Sequence, residues 1–487
     1  MNDDAPTLLE ILQLTRQELT TVQITDAIRE CGRAALSLLP SDPELCLKLA
    51  YQKLHDVPYK DVKPCWRMLY TDASLWQVVS LVEERETPGH EDWVDEVIRL
   101  LDMAIILTGT PGRDELVELW LSALKRILPS YDQAEAHPES AVLDRPTKRR
   151  KVSSSAEAAN LPLSFATDLP KPAPILRHPL PRTTAPSLSA FQKKLGNIKT
   201  HSPVIIEGAI EHWPALGERP WNSPGYLMEQ TLGGRRLVPV EIGKSYTDEA
   251  WGQRIITFQS FMSTYMLSAQ TSNQNTSPEH DEKGEETPRA SQTGYLAQHD
   301  LFAQIPSLRS DISIPDYCYT DPAPSPHLKH IKPVSKLEDP LLNAWFGPAG
   351  TVSPLHTDPY HNMLAQVVGY KYIRLYPPEE TANLYPRGVD ENGVDMSNTS
   401  QVDLDEAMSV MPELSCWENS HKDDGDELVG EDLLRRRQEF EKEFPRFRHA
   451  RYVDCVLGPG ECLYLPVGWW HYVGSLTTSF SVSFWFN

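Results

Sequence analysis

Apolar residues recur at helical spacing through the first quarter of the chain. Leu8, Ile11, Leu12 and Leu19 mark one amphipathic stripe, and Ile24, Ile28, Ala35 and Leu38 mark a second. The same period continues through 43–55, 64–84, 91–108 and 113–128, with Asp92 and Gly109 as start and stop signals. Residues 1–130 therefore predict an all-α helical domain. Its most apolar run, Leu100-Leu101-Asp102-Met103-Ala104-Ile105-Ile106-Leu107, is too short to span a bilayer and reads as a core helix.

The period is lost over 131–185, where Pro, Ser, Ala and charges replace it, so a flexible linker is expected. From 186 to 487 the pattern becomes that of short strands: 204–208, 237–241, 343–347, 364–368, 372–376, 455–457, 462–465 and 480–484. Gly and Pro punctuate them, which predicts a double-sheet antiparallel barrel or jelly roll. Two polar stretches interrupt the strands, 268–292 and 387–445, the second with one helical pattern at 428–443.

Length and charge narrow the picture further. At 487 residues the chain exceeds one typical domain. Its net charge of −22 disfavours direct, sequence-independent nucleic-acid binding, which depends on cations displacing phosphate counterions, and favours a cationic partner. Seven cysteines with no C-x-x-C pair give neither a disulfide framework nor a zinc ribbon, so a reducing compartment is expected. The start MNDDAPTLLE has no basic leader, and no apolar run nears the roughly 20 residues of a membrane span, which predicts no membrane association. Within the linker, Lys148, Arg149, Arg150 and Lys151 form a basic cluster in an acidic chain. Such a cluster reads as a nuclear-import signal, with the cytoplasm as the second compartment.

The chemistry concentrates in SPLHTDPYHN at 353–362. It reads either as a turn between strands or as half of a metal site. In an extended strand, alternation puts His356 and Asp358 on one face and Thr357 on the other. The third ligand comes from GPGECLYLPVGWWHYVGSL, where a turn, a strand and an aromatic turn lead to His471. Two imidazoles and one carboxylate on one face of a metal make the facial triad of non-heme iron(II) oxygenases, which leaves positions for a co-substrate and dioxygen. His361 falls out of phase and reads as structural, as do His212 and His299. Asn362 and Lys371 point into the same barrel, and a lysine there needs an anion, which the far carboxylate of 2-oxoglutarate would supply.

Four separated motifs, GYLAQHDLFAQIPSLRSDISIPDYC, NAWFGPAGTVSPLHTDPYHN, VVGYKYIRLYPP and PGECLYLPVGWWHYV with SFSVSFWFN, resemble the JmjC (Jumonji-C) iron and 2-oxoglutarate dioxygenases. The resemblance implies a cupin-like double-stranded β-helix and Fe(II) held by His356, Asp358 and His471. It also implies 2-oxoglutarate contacts from Tyr295, Ser353, Asn362, Lys371 and Trp485. The reaction would couple O2 and the decarboxylation of 2-oxoglutarate to succinate with oxidation of a substrate C–H bond.

For the substrate, the family resemblance implies arginine 3-hydroxylation of proteins, with histone lysine demethylation as the alternative. A reader of basic tails that has lost its chemistry is the non-enzymatic alternative. The stretch VPVEIGKSYTDEAW favours arginine: Glu241, Asp248 and Glu249 supply carboxylates, and Tyr246, Trp251 and Trp345 supply aromatic faces. The expected partner is a protein substrate with basic residues, a histone or another arginine-containing protein.

Overall fold

The computed structural model describes residues 5–21, 25–85, 92–128, 161–196, 201–243, 247, 251–267, 293–323, 331, 334–390, 393–418 and 427–487. Lys148 to Lys151, Tyr246, Asp248, Glu249 and the stretch 268–292 lie outside them. The chain divides into two compact units, one of Met1–Leu161, Leu227–Val238 and Ile255–Ser260, the other of Pro162–Tyr226, Pro239–Arg254 and Phe261–Asn487.

The first unit is helical: α1 Leu8–Thr20, α2 Arg33–Leu38, α3 Pro43–His55, α4 Pro64–Glu84, α5 Trp93–Thr108 and α6 Asp114–Ile127. A reciprocal cap between Thr7 and Glu10 starts α1 and satisfies its first free amides. The single helix expected over 24–38 is instead a 3-10 turn, Ala27–Cys31, followed by α2. Gly32 divides them with a φ of 90°, a left-handed conformation that cannot continue a helix. The stripes of α1, α4, α5 and α6 meet in one core around the fully buried Trp120, whose indole N–H donates to Thr15 Oγ1 at 2.9 Å. No helix among the described residues is long and apolar enough to cross a membrane.

The second unit is a two-sheet jelly roll, as the strand pattern predicted. The strands of the chain are β1 Arg182–Thr184, β2 Val204–Glu207, β3 Leu237–Ile242, β4 Gly252–Thr257, β5 Gly294–His299, β6 Leu341–Gly347, β7 Val352–His356, β8 His361–Val368, β9 Lys371–Tyr376, β10 Val453–Leu457, β11 Glu461–Leu465, β12 Trp470–Ser475 and β13 Ser479–Phe486, and all but parts of β3 and β4 lie in this unit. One sheet runs β1-β2-β11-β8-β13-β6-β5-β3-β4 and the other β10-β9-β12-β7. Strand β9 is buried on both faces. Ile373 and Leu375 pack inward with Leu463, Leu465 and Ile205, while Tyr372 and Tyr376 pack outward in a second core. That outer core draws Leu404, Met408, Val410, Phe440 and Phe444 from the stretch read as a polar interruption. It also adds a helix, Leu404–Val410, to the expected one, found at Glu427–Glu443.

Candidate metal centre and its cleft

His356 is the last residue of β7, and its cross-strand partner is His471 of β12. The register between these strands shifts just after that pair, between His471 and Val473, as at a bulge that re-aims side chains. Asp358 lies beyond the end of β7, so turn geometry rather than strand alternation brings it round to the histidines. The three ligand atoms lie within 4.8 Å of one another. The two Asp358 oxygens divide between the rings: Oδ1 is 3.7 Å from His356 Nε2, and Oδ2 is 3.6 Å from His471 Nε2.

Both imidazoles are oriented by the same local device. His356 Nδ1 stands 2.7 Å from the carbonyl of Pro354, and His471 Nδ1 stands 3.2 Å from that of Trp469, each two residues earlier in the chain. A carbonyl accepts only from an N–H, so these contacts put a proton on Nδ1 of each ring and turn Nε2 towards Asp358. Burial holds the His471 imidazolium well below its ordinary range, reinforced by the neighbouring His356. Burial also raises the Asp358 carboxyl, with His356 opposing that rise. Two imidazoles around a desolvated carboxylate suit a divalent cation, whose charge offsets the cost of burying the carboxylate.

A cleft that opens to solvent lies over this triad. Its polar lining brings together Tyr295, Ser353, Asn362 and Lys371, with Trp345 on the wall. Lys371, only 1% exposed, points inward rather than to solvent. Its Nζ donates to Tyr295 Oη at 3.3 Å, and burial pushes the ammonium down to about 7. No carboxylate pairs with it among the described residues. Burial raises the Tyr295 phenol, Glu241 adds to that rise, and a hydrogen bond with Ser353 opposes it.

Asn362 leaves Oδ1, and Trp485 leaves Nε1, buried and without a hydrogen-bond partner among the described residues. They are cross-strand neighbours on β8 and β13. Each such atom costs about 1–3 kcal/mol unless something meets it. Turned about its terminal bond, the Asn362 amide offers NH2 to the same place. In the cleft lining, a buried lysine and an amide form a donor set that fits a dicarboxylate. Trp485 stacks on Tyr360 at 5.6 Å and does not itself line the cleft.

The residues expected to meet substrate divide in placement. Trp345 lines the cleft, its indole N–H held by Ser483 Oγ at 2.9 Å. Glu241 pairs across β3 and β5 with Tyr295 and accepts from Trp251 Nε1 at 3.4 Å, but neither Glu241 nor Trp251 lines the cleft. Burial raises the Glu241 carboxyl, and hydrogen bonds from Trp251 and Gln253 partly oppose it. His361 turns away: its Nδ1 stands 2.9 Å from Tyr464 Oη, and burial takes its imidazolium down to about 3. Sequence reasoning missed the apolar half of the lining, Leu364, Ile373, Leu463, Leu465 and Val473. Alternation along β9 from Lys371 to Ile373 was the available signal for it.

Residues 191–487 match the cupin-like domain family. The chain is 32% identical to the "Lysine-specific demethylase 8" of Xenopus tropicalis over 99% of this chain and 98% of that one. It is 32% identical to the "Jumonji C domain-containing protein 5" of Drosophila melanogaster over 90% and 84%. It is 26% identical to the human "Bifunctional peptidase and (3S)-lysyl hydroxylase JMJD7" over 58% and 77%.

Proposed function

The chain belongs to the cupin-like JmjC family of 2-oxoglutarate-dependent dioxygenases, and from that premise we propose that it hydroxylates arginine side chains of basic proteins. His356, Asp358 and His471 would hold Fe(II). Bound there with 2-oxoglutarate and O2, the metal supplies the oxidation of a substrate C–H bond, coupled to release of succinate and CO2. Lys371 and Tyr295 would fix the far carboxylate of 2-oxoglutarate. Ser353 and Asn362 would orient the co-substrate, with Trp485 behind Asn362. The apolar walls from Ile373, Leu463 and Val473 would limit bulk water at the reacting end.

One observation carries the choice of arginine. Glu241 is a carboxylate drawn out of water beside Tyr295, with the Trp251 indole on it. A guanidinium supplies several donors and a flat cation, which suits a desolvated carboxylate beside an indole. Methyl-lysine offers a cation with few or no donors and calls for a mainly aromatic cage instead. Lysine demethylation is a second reading because the Xenopus relative is named a lysine-specific demethylase. We also propose a nuclear location, resting on Lys148 to Lys151.

The test is mass spectrometry of arginine-containing and methyl-lysine peptides incubated with Fe(II), 2-oxoglutarate and air. The reading expects one added oxygen on arginine, with succinate formed in step and both lost in His356→Ala. Glu241→Gln should raise KM for the arginine peptide about 10- to 100-fold, the loss of one charge-assisted contact. Demethylation of the lysine peptide without oxygen on arginine would overturn the arginine assignment. Activity unchanged in His356→Ala would overturn the metal assignment.

A further inference from the structure

The two ligands nearest in sequence, His356 and Asp358, are joined by two peptide groups, one on each side of Thr357. Strand β7 stops at His356, so the sheet does not hold the second of these groups. Both are held by one distant residue. The Thr357 N–H donates to the backbone carbonyl of Asn398 at 2.8 Å, and the Thr357 carbonyl accepts from Asn398 Nδ2 at 3.3 Å. The neighbouring backbone continues the contact: Ser400 N–H donates to the Leu355 carbonyl at 2.9 Å, and Thr399 bridges to His356. Its neighbours are held elsewhere: the Ser400 hydroxyl donates to the Leu384 carbonyl at 2.5 Å and Arg387 N–H donates to the Thr399 carbonyl at 2.8 Å.

We propose that Asn398 is a positioning residue for the metal centre, setting the separation of His356 and Asp358 by bracketing both peptide groups that link them. The inference rests on the assignment of these two residues as metal ligands. A carboxylate on an unpaired turn would swing about the φ and ψ bonds of Thr357. Asn398 removes that freedom through one backbone acceptor and one side-chain donor, so the ligands stand at their binding distance before the metal arrives. The segment 398–400 thus serves the site although it lies in a stretch that the sequence pattern set apart as an interruption.

Anaerobic Co(II) titration followed by d–d absorption reads affinity and ligand geometry without turnover. Four proteins are compared: wild type, Asn398→Ala, the isosteric Asn398→Asp, and Ser400→Ala, which loosens the same segment without removing a contact to Thr357. Both Asn398 variants should weaken Co(II) binding at least tenfold and shift the d–d band. Their metal-free thermal midpoints should fall no further than that of Ser400→Ala, which should keep wild-type affinity. Wild-type affinity in both Asn398 variants would overturn the proposal and leave the metal assignment standing. Equal weakening in Ser400→Ala would overturn it as well, since the effect would then be general loosening. If the wild type fails to bind Co(II), the metal assignment falls and takes the inference with it.

Discussion

Lys371 combines a conflict of stability with a function. Its ammonium is buried and held at about 7, against an ordinary 10.5. Between these two values the unfolded chain keeps a proton that the folded chain releases, so the co-substrate-free protein gains stability as pH rises across that window. A dicarboxylate in the cleft reverses the balance, because its charge favours the ammonium. Binding of 2-oxoglutarate at pH 8 should therefore take up about one proton per site, read by calorimetry in buffers of different ionisation enthalpy. A binding heat that does not change with buffer would sink this account. Lys371→Met should raise the thermal midpoint of the free protein while losing the stabilisation that 2-oxoglutarate gives, a trade between stability and activity. The sequence already placed this lysine on an inward face. It could not give the burial, which comes from strands contributed by both sheets.

Among the elements, the turn between β8 and β9 carries the most constrained backbone near the cleft. Gly369 has a φ of 70°, and a Cβ there would stand 1.9 Å from the Thr478 carbonyl oxygen. Alanine would meet backbone that cannot step aside, on top of the left-handed strain. Gly369→Ala should thus cost roughly 2–4 kcal/mol in chemical denaturation, and the displaced turn should weaken 2-oxoglutarate binding through Lys371, two residues on. Unchanged stability would show that the turn rearranges freely. Strands such as β9 and β13 were legible because Tyr, Ile, Val, Phe and Trp recur along them between turn residues. Strands β7 and β12 were not: Pro354 sits inside the first, and the second begins on the aromatic turn at Trp470. His356, Asp358 and His471 were legible because residue type and spacing mark them, whereas Asn398 was not, since its partner Thr357 is 41 residues away and no local pattern joins them.

At the scale of the whole molecule, the chain path matters more than the order of its segments. The helical unit includes Leu227–Val238 and Ile255–Ser260, drawn from well beyond the linker. Leu232 enters its apolar core, and Arg236 meets Asp102 of α5 inside it. This pair is buried, with Asp102 at 0% exposure. Asp102 Oδ1 accepts from Arg236 Nη2 at 2.6 Å and Nε at 2.9 Å, and its Oδ2 accepts from the Leu237 N–H at 2.7 Å. One carboxylate therefore fixes both the side chain and the backbone of a segment that is distant in sequence. Asp102→Ala would leave the Arg236 guanidinium buried without its carboxylate, a loss of about 3–5 kcal/mol. Arg236→Met added to it should recover a large part of that loss, since two apolar groups replace a broken pair. Hydrogen exchange resolved to α5 is the measurement, because two units need not unfold in one step. Faster exchange across Trp93–Thr108 in Asp102→Ala, slowed again in the double variant, is the expected result. Exchange as slow as wild type in Asp102→Ala would mean that the apolar contacts of Leu232 alone hold the segment in place.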